Sequence, residues 1–352
     1  MTIVTDVLVI GGGQAALATA YYLQRAGLDY IVVDGGERIG DAWRNRYDSL
    51  VLFTPRSYSQ LPGMDFPGDP EQFPDKNDTA DYLEKYAAAL NATIHLQTKV
   101  LSVHKEQAGF VIATTKQSYR ARQIVIATGP FQTPWMPAFA AKLSPKIRQL
   151  HSSEYRNPEQ LQQGDTLVVG AGNSGAQIAV ELADVTRVSL SAGEKPVFLP
   201  LKLLGKSIFY WFDKLGLLRA TRNSFIGKKI QQRKDPIFGK ELKQLLEASQ
   251  VAMLPKTTGA DKESLMFSDG QPREFANIIW STGFHPDYSW LRIPRITNAA
   301  GALIHERGKT AEHGLYVVGM PWQHRRTSAL LGGVGEDARF VVAAIKQERA
   351  PS

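Results

Sequence analysis

The chain has 352 residues, 43% of them hydrophobic and 21% charged, with a formal net charge of +7 and no cysteine. That length allows two domains of roughly 100–200 residues each, with a sizeable core. The missing cysteines exclude a disulfide framework, a thiolate metal site and a CxxC relay, and the positive charge suits anionic ligands, with no nucleic-acid motif beside it.

Residues 1–10, MTIVTDVLVI, read as a buried first strand that runs directly into Gly11. They lack the basic start and cleavage site of a secretory leader, so a cytoplasmic protein is expected. Gly11, Gly12, Gly13, Gln14, Ala15 and Ala16 form a turn, a helix follows to Arg25, and Gly27 stops it. Tyr30-Ile31-Val32-Val33 is the next strand and ends in Asp34. Ile124-Val125-Ile126-Ala127 is a strand that runs into Thr128 and Gly129. Pro, Ser and Gln cluster between Lys142 and Gln163, which predicts a linker. Thr166-Leu167-Val168-Val169 then leads into a second turn of Gly170, Ala171, Gly172, Asn173, Ser174 and Gly175. A helix through Leu182 follows, then a strand, Arg187-Val188-Ser189-Leu190.

Between Leu199 and Ile230 the aromatic run Phe209-Tyr210-Trp211-Phe212 stands among Lys202, Lys206, Arg219, Arg222, Lys228 and Lys229. It reads as a basic amphipathic helix that touches membrane or lines substrate entry, or as an insertion packed on the second unit, the preferred reading. Ile278-Ile279-Trp280 runs into Ser281-Thr282-Gly283, and Leu315-Tyr316-Val317-Val318 into Gly319. Residues 336–347 form a last amphipathic helix. His324, Arg325 and Arg326 aid a cofactor or belong to a charged surface loop. No apolar run reaches the ~18 residues of a membrane span. Seven histidines show no metal-ligand spacing, so no metal is expected.

Each Gly turn lies between strand and helix, where a GxGxxG string acquires meaning. The first glycine makes the tight turn and the second lets backbone approach a pyrophosphate. The third position must be small so that helix packs on strand. Phosphates then face the free N–H groups of the helix start. Asp34, about 20 residues beyond the first turn, suits the hydroxyls of an adenosine ribose. In the second unit Glu194 either binds ribose hydroxyls, which favours NADH, or is a solvated loop carboxylate. The adjacent Lys195 points the other way.

The series GGGQAA, GDAWRNRYDSL, ATG, HSSEY, GAGNSG and STGF resembles the flavin-containing monooxygenases, especially the small bacterial members and the plant auxin-synthesis enzymes. The resemblance implies an α/β fold with two Rossmann-like dinucleotide-binding domains, the smaller inserted in the larger. Residues 1–157 and 283–352 would bind FAD, and residues 158–282 NADH or NADPH. Gly11, Gly13, Gln14 and Ala15 would lie at the FAD pyrophosphate, and Asp34 at its ribose. Gly40 and Trp43 resemble the family's GGxW segment, with Asp41 replacing the second glycine. Trp43 and Arg44 would lie along the FAD, although Trp43 also reads as a core aromatic. Val100 would offer backbone to the adenine, with Gly129 at the neighbouring strand end. Gly319 would close the flavin side, and Gly332 and Gly333 would face the isoalloxazine. Gly170, Gly172, Asn173, Ser174, Gly175 and Glu194 would hold the nicotinamide nucleotide.

His151 and Tyr155 match the end of the family's FxGxxxHxxxY signature, whose earlier positions here hold Pro145 and Ile147. His151 reads as a junction residue or a histidine satisfied by backbone. Where oxygenating members carry an Asn near the flavin, this chain has Phe53.

The implied reaction is oxidation of NAD(P)H, addition of O2 at flavin C4a, and oxygen transfer to a soft small-molecule nucleophile such as a sulfide or amine. Two alternatives stand beside it. One is an NADH oxidase or reductase that releases peroxide, motivated by Phe53. The other is a nucleotide-sensing binding protein. A homodimer is the commonest oligomeric expectation.

Overall fold

The structure is a computed structural model and describes residues 2–349. In chain order the first unit contains β1 (Thr2–Ile10), α1 (Gln14–Arg25), β2 (Tyr30–Val33), α2 (Asp41–Arg44), α3 (Lys76–Leu90), β3 (Ile94–His95), β4 (Val100–Glu106), β5 (Gly109–Thr114) and β6 (Ser118–Ile126). Then come β7 (Thr133–Pro134), β8 (Arg148–His151), β9 (Thr166–Val169), α4 (Asn173–Ala183) and β10 (Val188–Ser191). The next segment holds β11 (Phe198–Leu199), β12 (Lys202–Leu203), β13 (Lys206–Ser207), α5 (Ile208–Lys214), α6 (Phe225–Gln231) and β14 (Ile237–Phe238). It is followed by α7 (Glu241–Glu247), β15 (Val251–Leu254), β16 (Thr257–Asp261), β17 (Ser264–Phe267), β18 (Pro272–Glu274), β19 (Asn277–Trp280), β20 (Phe284–His285), β21 (Leu315–Val317) and α8 (Leu331–Arg349).

Two sheets organise the chain. The first runs β3-β2-β1-β6-β5-β4, with β21 also pairing β6. Its β1, β2, β3, β6 and β21 are parallel, while β4 and β5 form an antiparallel extension. The second is a wholly parallel sheet, β15-β10-β9-β19-β8. Parallel strands need helical crossovers, and ligands gather at their carboxyl ends, where the strand order reverses.

Apolar pattern explains the packing. Val7 and Val9 on β1 face the core cluster of α1, and Leu8 and Ile10 face another cluster beneath β6 and β21. Alanines at 15, 16, 18 and 20 of α1 are buried, which lets α8 lie close through Val334, Ala338 and Val341. The chain passes between the sheets twice, once after β6 and once after β19. Those two crossings pair as the antiparallel ribbon β7–β20.

One sequence expectation needs correction, and one choice between two readings is decided. The segment read as a linker contains β8, an edge strand held by β19 through a register of four residues. The segment from Leu199 to Ile230 is not one basic helix. It holds a strand, a hairpin and two seven-residue helices, and it packs as an insertion through Phe209, Phe238 and Leu199.

Candidate functional site

The two turns are built alike. Gly11 has φ +110, and a Cβ there would lie 2.6 Å from the Ala127 carbonyl oxygen at the end of β6. Gly170 has φ +108, and a Cβ there would run into the Ser281 carbonyl at the end of β19. The similar strand endings before Gly129 and Gly283 are therefore the partners of the two turns. Gly129 itself has φ +68 with open space around it. At the third position Ala16 is fully buried, and a Cβ on Gly175 would collide with the Gly170 carbonyl.

Gly13 and Gly172 are the N-cap residues of α1 and α4, and a Cβ on either would meet nothing within 4 Å. Neither helix has a side-chain cap. Elsewhere the chain does cap helices, with Asp75 on α3, Ser207 on α5 and Ser224 on α6. A helix start leaves its first N–H groups without intrahelical partners, and an anion satisfies them. Open backbone before two uncapped helices fits two pyrophosphates.

Around the first turn, the Asp34 carboxylate accepts from Gly12 N–H at 2.6 Å and Gly36 N–H at 2.7 Å. It thus shapes the turn from the end of β2. Gln14 reaches the Ala329 carbonyl at 3.3 Å and accepts from Trp43 Nε1 at 3.4 Å. The buried Ala15 lies under Gly319, where an added Cβ would come within 2.6 Å of the Ala15 Cβ. Gly40, at φ +89, lets α2 approach Ala80 of α3. Val100 opens β4.

Arg44 is held within the first unit. Its guanidinium donates to the Ile39 carbonyl, Asp81 and Glu84 at 2.7–3.1 Å, so it braces α2 on α3. Gly332 and Gly333 at the start of α8 each lie against backbone. A Cβ would strike the carbonyls of Tyr58 and Thr327 respectively.

At the second turn Asn173 does not point to open space. Its amide donates to the Pro236 carbonyl at 3.1 Å and accepts from Phe238 N–H at 2.9 Å, which pins β14. Ser174 hydrogen-bonds Tyr47, whose hydroxyl donates to Gln177 at 3.0 Å, and burial pushes the Tyr47 phenol up. Gln177 also donates to the Val51 carbonyl at 2.9 Å. These contacts staple α4 to the segment that leads into Phe53.

A cleft of about 630 Å³ opens at the carboxyl ends of β9 and β10, lined by Gly170, Ser191, Glu194, Lys234, Lys256 and Thr258 among others. Glu194 is ion-paired with Lys234. Both are half exposed or more, so the pair contributes little stability, but it neutralises the carboxylate at the mouth. Lys234 and Lys256 escape sequence reading because they lie 40 and 62 residues beyond Glu194.

Phe53 is half-buried in an aromatic cluster. It stacks on Phe238 with centroids 4.7 Å apart and on Phe209 at 6.0 Å. Tyr58 and Leu330 join from the first unit, and Leu199 and Phe212 from the insertion. His151 is buried, with Nε2 3.0 Å from the Gly283 carbonyl and Nδ1 accepting from Ser153 N–H at 3.1 Å. A carbonyl can only accept, so Nε2 carries the proton, and burial pushes the imidazole below its usual range. Tyr155 donates to Glu181 at 2.8 Å. Both residues fasten the junction. Arg325 and Arg326 are paired with Glu336 and Asp235. No group of metal-ligating side chains occurs among the described residues.

A family model described as pyridine nucleotide-disulphide oxidoreductase matches residues 8–197, more than half of the chain. An uncharacterized CzcO-like oxidoreductase of Geobacillus kaustophilus is 52% identical over 339 residues, which cover 96% of this chain and 97% of that protein. The probable indole-3-pyruvate monooxygenase YUCCA1 of Arabidopsis thaliana is 26% identical over 81% of this chain and 77% of its own length. The flavin-containing monooxygenase from Stenotrophomonas maltophilia superposes with a TM-score of 0.84 at 26% identity, covering 99% of this chain and 100% of that one. With no cysteine, this chain has no thiol for the disulfide chemistry in the family's name. On these matches and the paired turns, the chain belongs to the pyridine nucleotide-disulphide oxidoreductase family, on its flavin-containing monooxygenase side, and is an FAD-dependent oxidoreductase.

Proposed function

We propose that the protein oxidises NAD(P)H, places one oxygen atom of O2 on a soft small-molecule nucleophile, and releases the other as water. The observation that carries this reading is the pair of open, uncapped Gly turns, with the second stapled to the Phe53 segment by Gln177 and Ser174. FAD, when bound, supplies hydride acceptance and oxygen activation. Residues 1–157 and 283–352 would hold it, through Gly11, Gly13 and Gln14 at the pyrophosphate and Asp34 at the ribose. Residues 158–282 would hold the nicotinamide nucleotide, with Gly170, Gly172 and Ser174 at its phosphates. Phe53, Phe209 and Phe238 form an apolar wall that excludes water from the junction.

The cleft at Glu194 takes the adenosine ribose of the nicotinamide nucleotide. Because Lys234 neutralises Glu194 and Lys256 adds a second cation, the cleft accepts the 2′-phosphate of NADPH. This removes the reason for favouring NADH.

A second reading is supported by Phe53 itself. A phenyl ring offers no hydrogen bond to a developing oxygen group, so peroxide release without transfer is its natural consequence. Anaerobic mixing with NADH or NADPH should bleach the yellow protein. Oxygen is then admitted with a thioether, an amine or indole-3-pyruvate, the last taken from the plant relatives' name. Oxygenated product matching the NAD(P)H consumed supports transfer. Stoichiometric peroxide with no product from any of them favours the oxidase reading.

A further inference from the structure

The chain's positive charge is concentrated in one place. Residues 197–234 contain nine basic residues and a single acid, Asp213, a net of +8, so the remainder nets −1. The same segment exposes apolar side chains. Fifteen large hydrophobics are exposed among the described residues, and six belong here: Val197, Leu203, Leu204, Leu215, Phe225 and Ile226. Leu204 is 82% exposed and Phe225 73%. Neither belongs to the FAD or nucleotide turns.

The backbone presents these groups at projecting points. Leu204, at φ +50, and Gly205, at φ +75, form the tip of the β12–β13 hairpin between Lys202 and Lys206. Trp211 Nε1 donates to the Leu203 carbonyl at 2.9 Å, which holds the tip against α5. Leu215 follows α5 directly, and Phe225 and Ile226 open α6 beside Lys228 and Lys229. The inner side is anchored. Phe209 and Phe238 pack on Phe53 and Tyr58, Arg222 N–H donates to the His324 carbonyl at 2.7 Å, and Asp235 pairs with Arg326 at 2.9 Å. The segment is thus a fixed platform with an apolar, cationic exterior.

We infer that this platform docks the protein on an anionic lipid surface. Apolar tips ringed by cations match the boundary between acyl chains and acidic headgroups. No helix among the described residues is long and apolar enough to cross a membrane, so contact is peripheral. The cations also favour lipid over a protein partner. Apart from Lys234, which is paired with Glu194 in the cleft, five of the eight are lysines, a residue depleted from protein–protein interfaces and suited to headgroup phosphates. The inference does not depend on the reaction proposed above.

The test is flotation of the FAD-loaded protein with vesicles of phosphatidylcholine alone or mixed with phosphatidylglycerol. The protein should float with the mixed vesicles and stay down with the neutral ones. L204S/F225S should bind about tenfold more weakly through lost apolar insertion, and K228E/K229E should bind about tenfold more weakly through lost charge. Flavin absorbance and NAD(P)H oxidation without vesicles should match the parent protein in both variants, which separates lost docking from lost folding. Failure to float with acidic vesicles overturns the proposal. So does binding that L204S/F225S leaves intact, since charge alone would then point to an acidic protein.

Discussion

Gly11 and Gly13 stand two residues apart and should fail in different ways. At Gly13 φ is −81, and an added Cβ meets nothing, so G13A should fold with an unchanged Tm. Its methyl group would occupy the space before the uncapped N–H groups, and FAD retention should fall at least about tenfold. At Gly11 the φ of +110 and the Ala127 carbonyl work against any side chain. G11A should cost about 1–3 kcal/mol in strain and lower Tm even without cofactor. Thermal melts of the cofactor-free protein and the flavin-to-protein absorbance ratio distinguish the two. G172A should remain yellow and show a raised KM for NAD(P)H alone. At the cleft, K234A leaves Glu194 without its cation and should lower the NADPH-to-NADH ratio of kcat/KM about tenfold. E194Q should raise it. An unchanged ratio in both variants would remove the ribose from this cleft.

At the scale of elements, the aromatic wall is the feature to disturb. Phe238 is buried and stacked on Phe53, and its strand is pinned by Asn173. F238A should cost about 3 kcal/mol of stability. It should also admit water beside Phe53 and raise the peroxide released per NAD(P)H, while anaerobic bleaching keeps its rate. A peroxide yield equal to that of the parent would show that the wall does not guard the reaction. The elements that were legible in the sequence are the ones with strong local signals. Both strand–Gly turn–helix–strand units stand where apolar runs and glycines placed them, because period and turn chemistry act within about 30 residues. β8 was hidden, since Arg148-Gln149-Leu150-His151 becomes a strand only through pairing with β19, more than 120 residues away. The insertion was legible as such, but its division into short elements was not. Its aromatic and basic residues suggested one helix, but Gly205 and Gly216, at φ +75 and +72, break it into short pieces. Site contacts such as Glu194 with Lys234, or Arg44 with Asp81 and Glu84, join elements whose approach no local pattern specifies.

For the whole molecule, the double crossing between the sheets sets the pH response. His151 fastens one crossing as a neutral imidazole, and burial also pushes His305 and His324 below their usual value of 6.5. Below that pH the unfolded chain takes up protons that the folded chain refuses on these three rings. Stability should therefore be intact above the unfolded value and fall as pH drops through it. Asp337 in α8 acts in the opposite sense. Burial pushes its carboxyl up to about 6, above the ordinary 3.8, so the folded chain takes up that proton first. Its contribution begins to grow near about pH 7, is half developed at about 6 and levels off below about 4. Between about pH 7.5 and 6 three histidines act against this one carboxyl, so Tm should still decline over that interval. H151Q keeps a donor for the Gly283 carbonyl but cannot ionise, so its Tm should decline less steeply. A parent Tm that stays level across the interval, or an H151Q profile parallel to the parent's, would mean that the neutral imidazole at the crossing is not what couples the fold to protons.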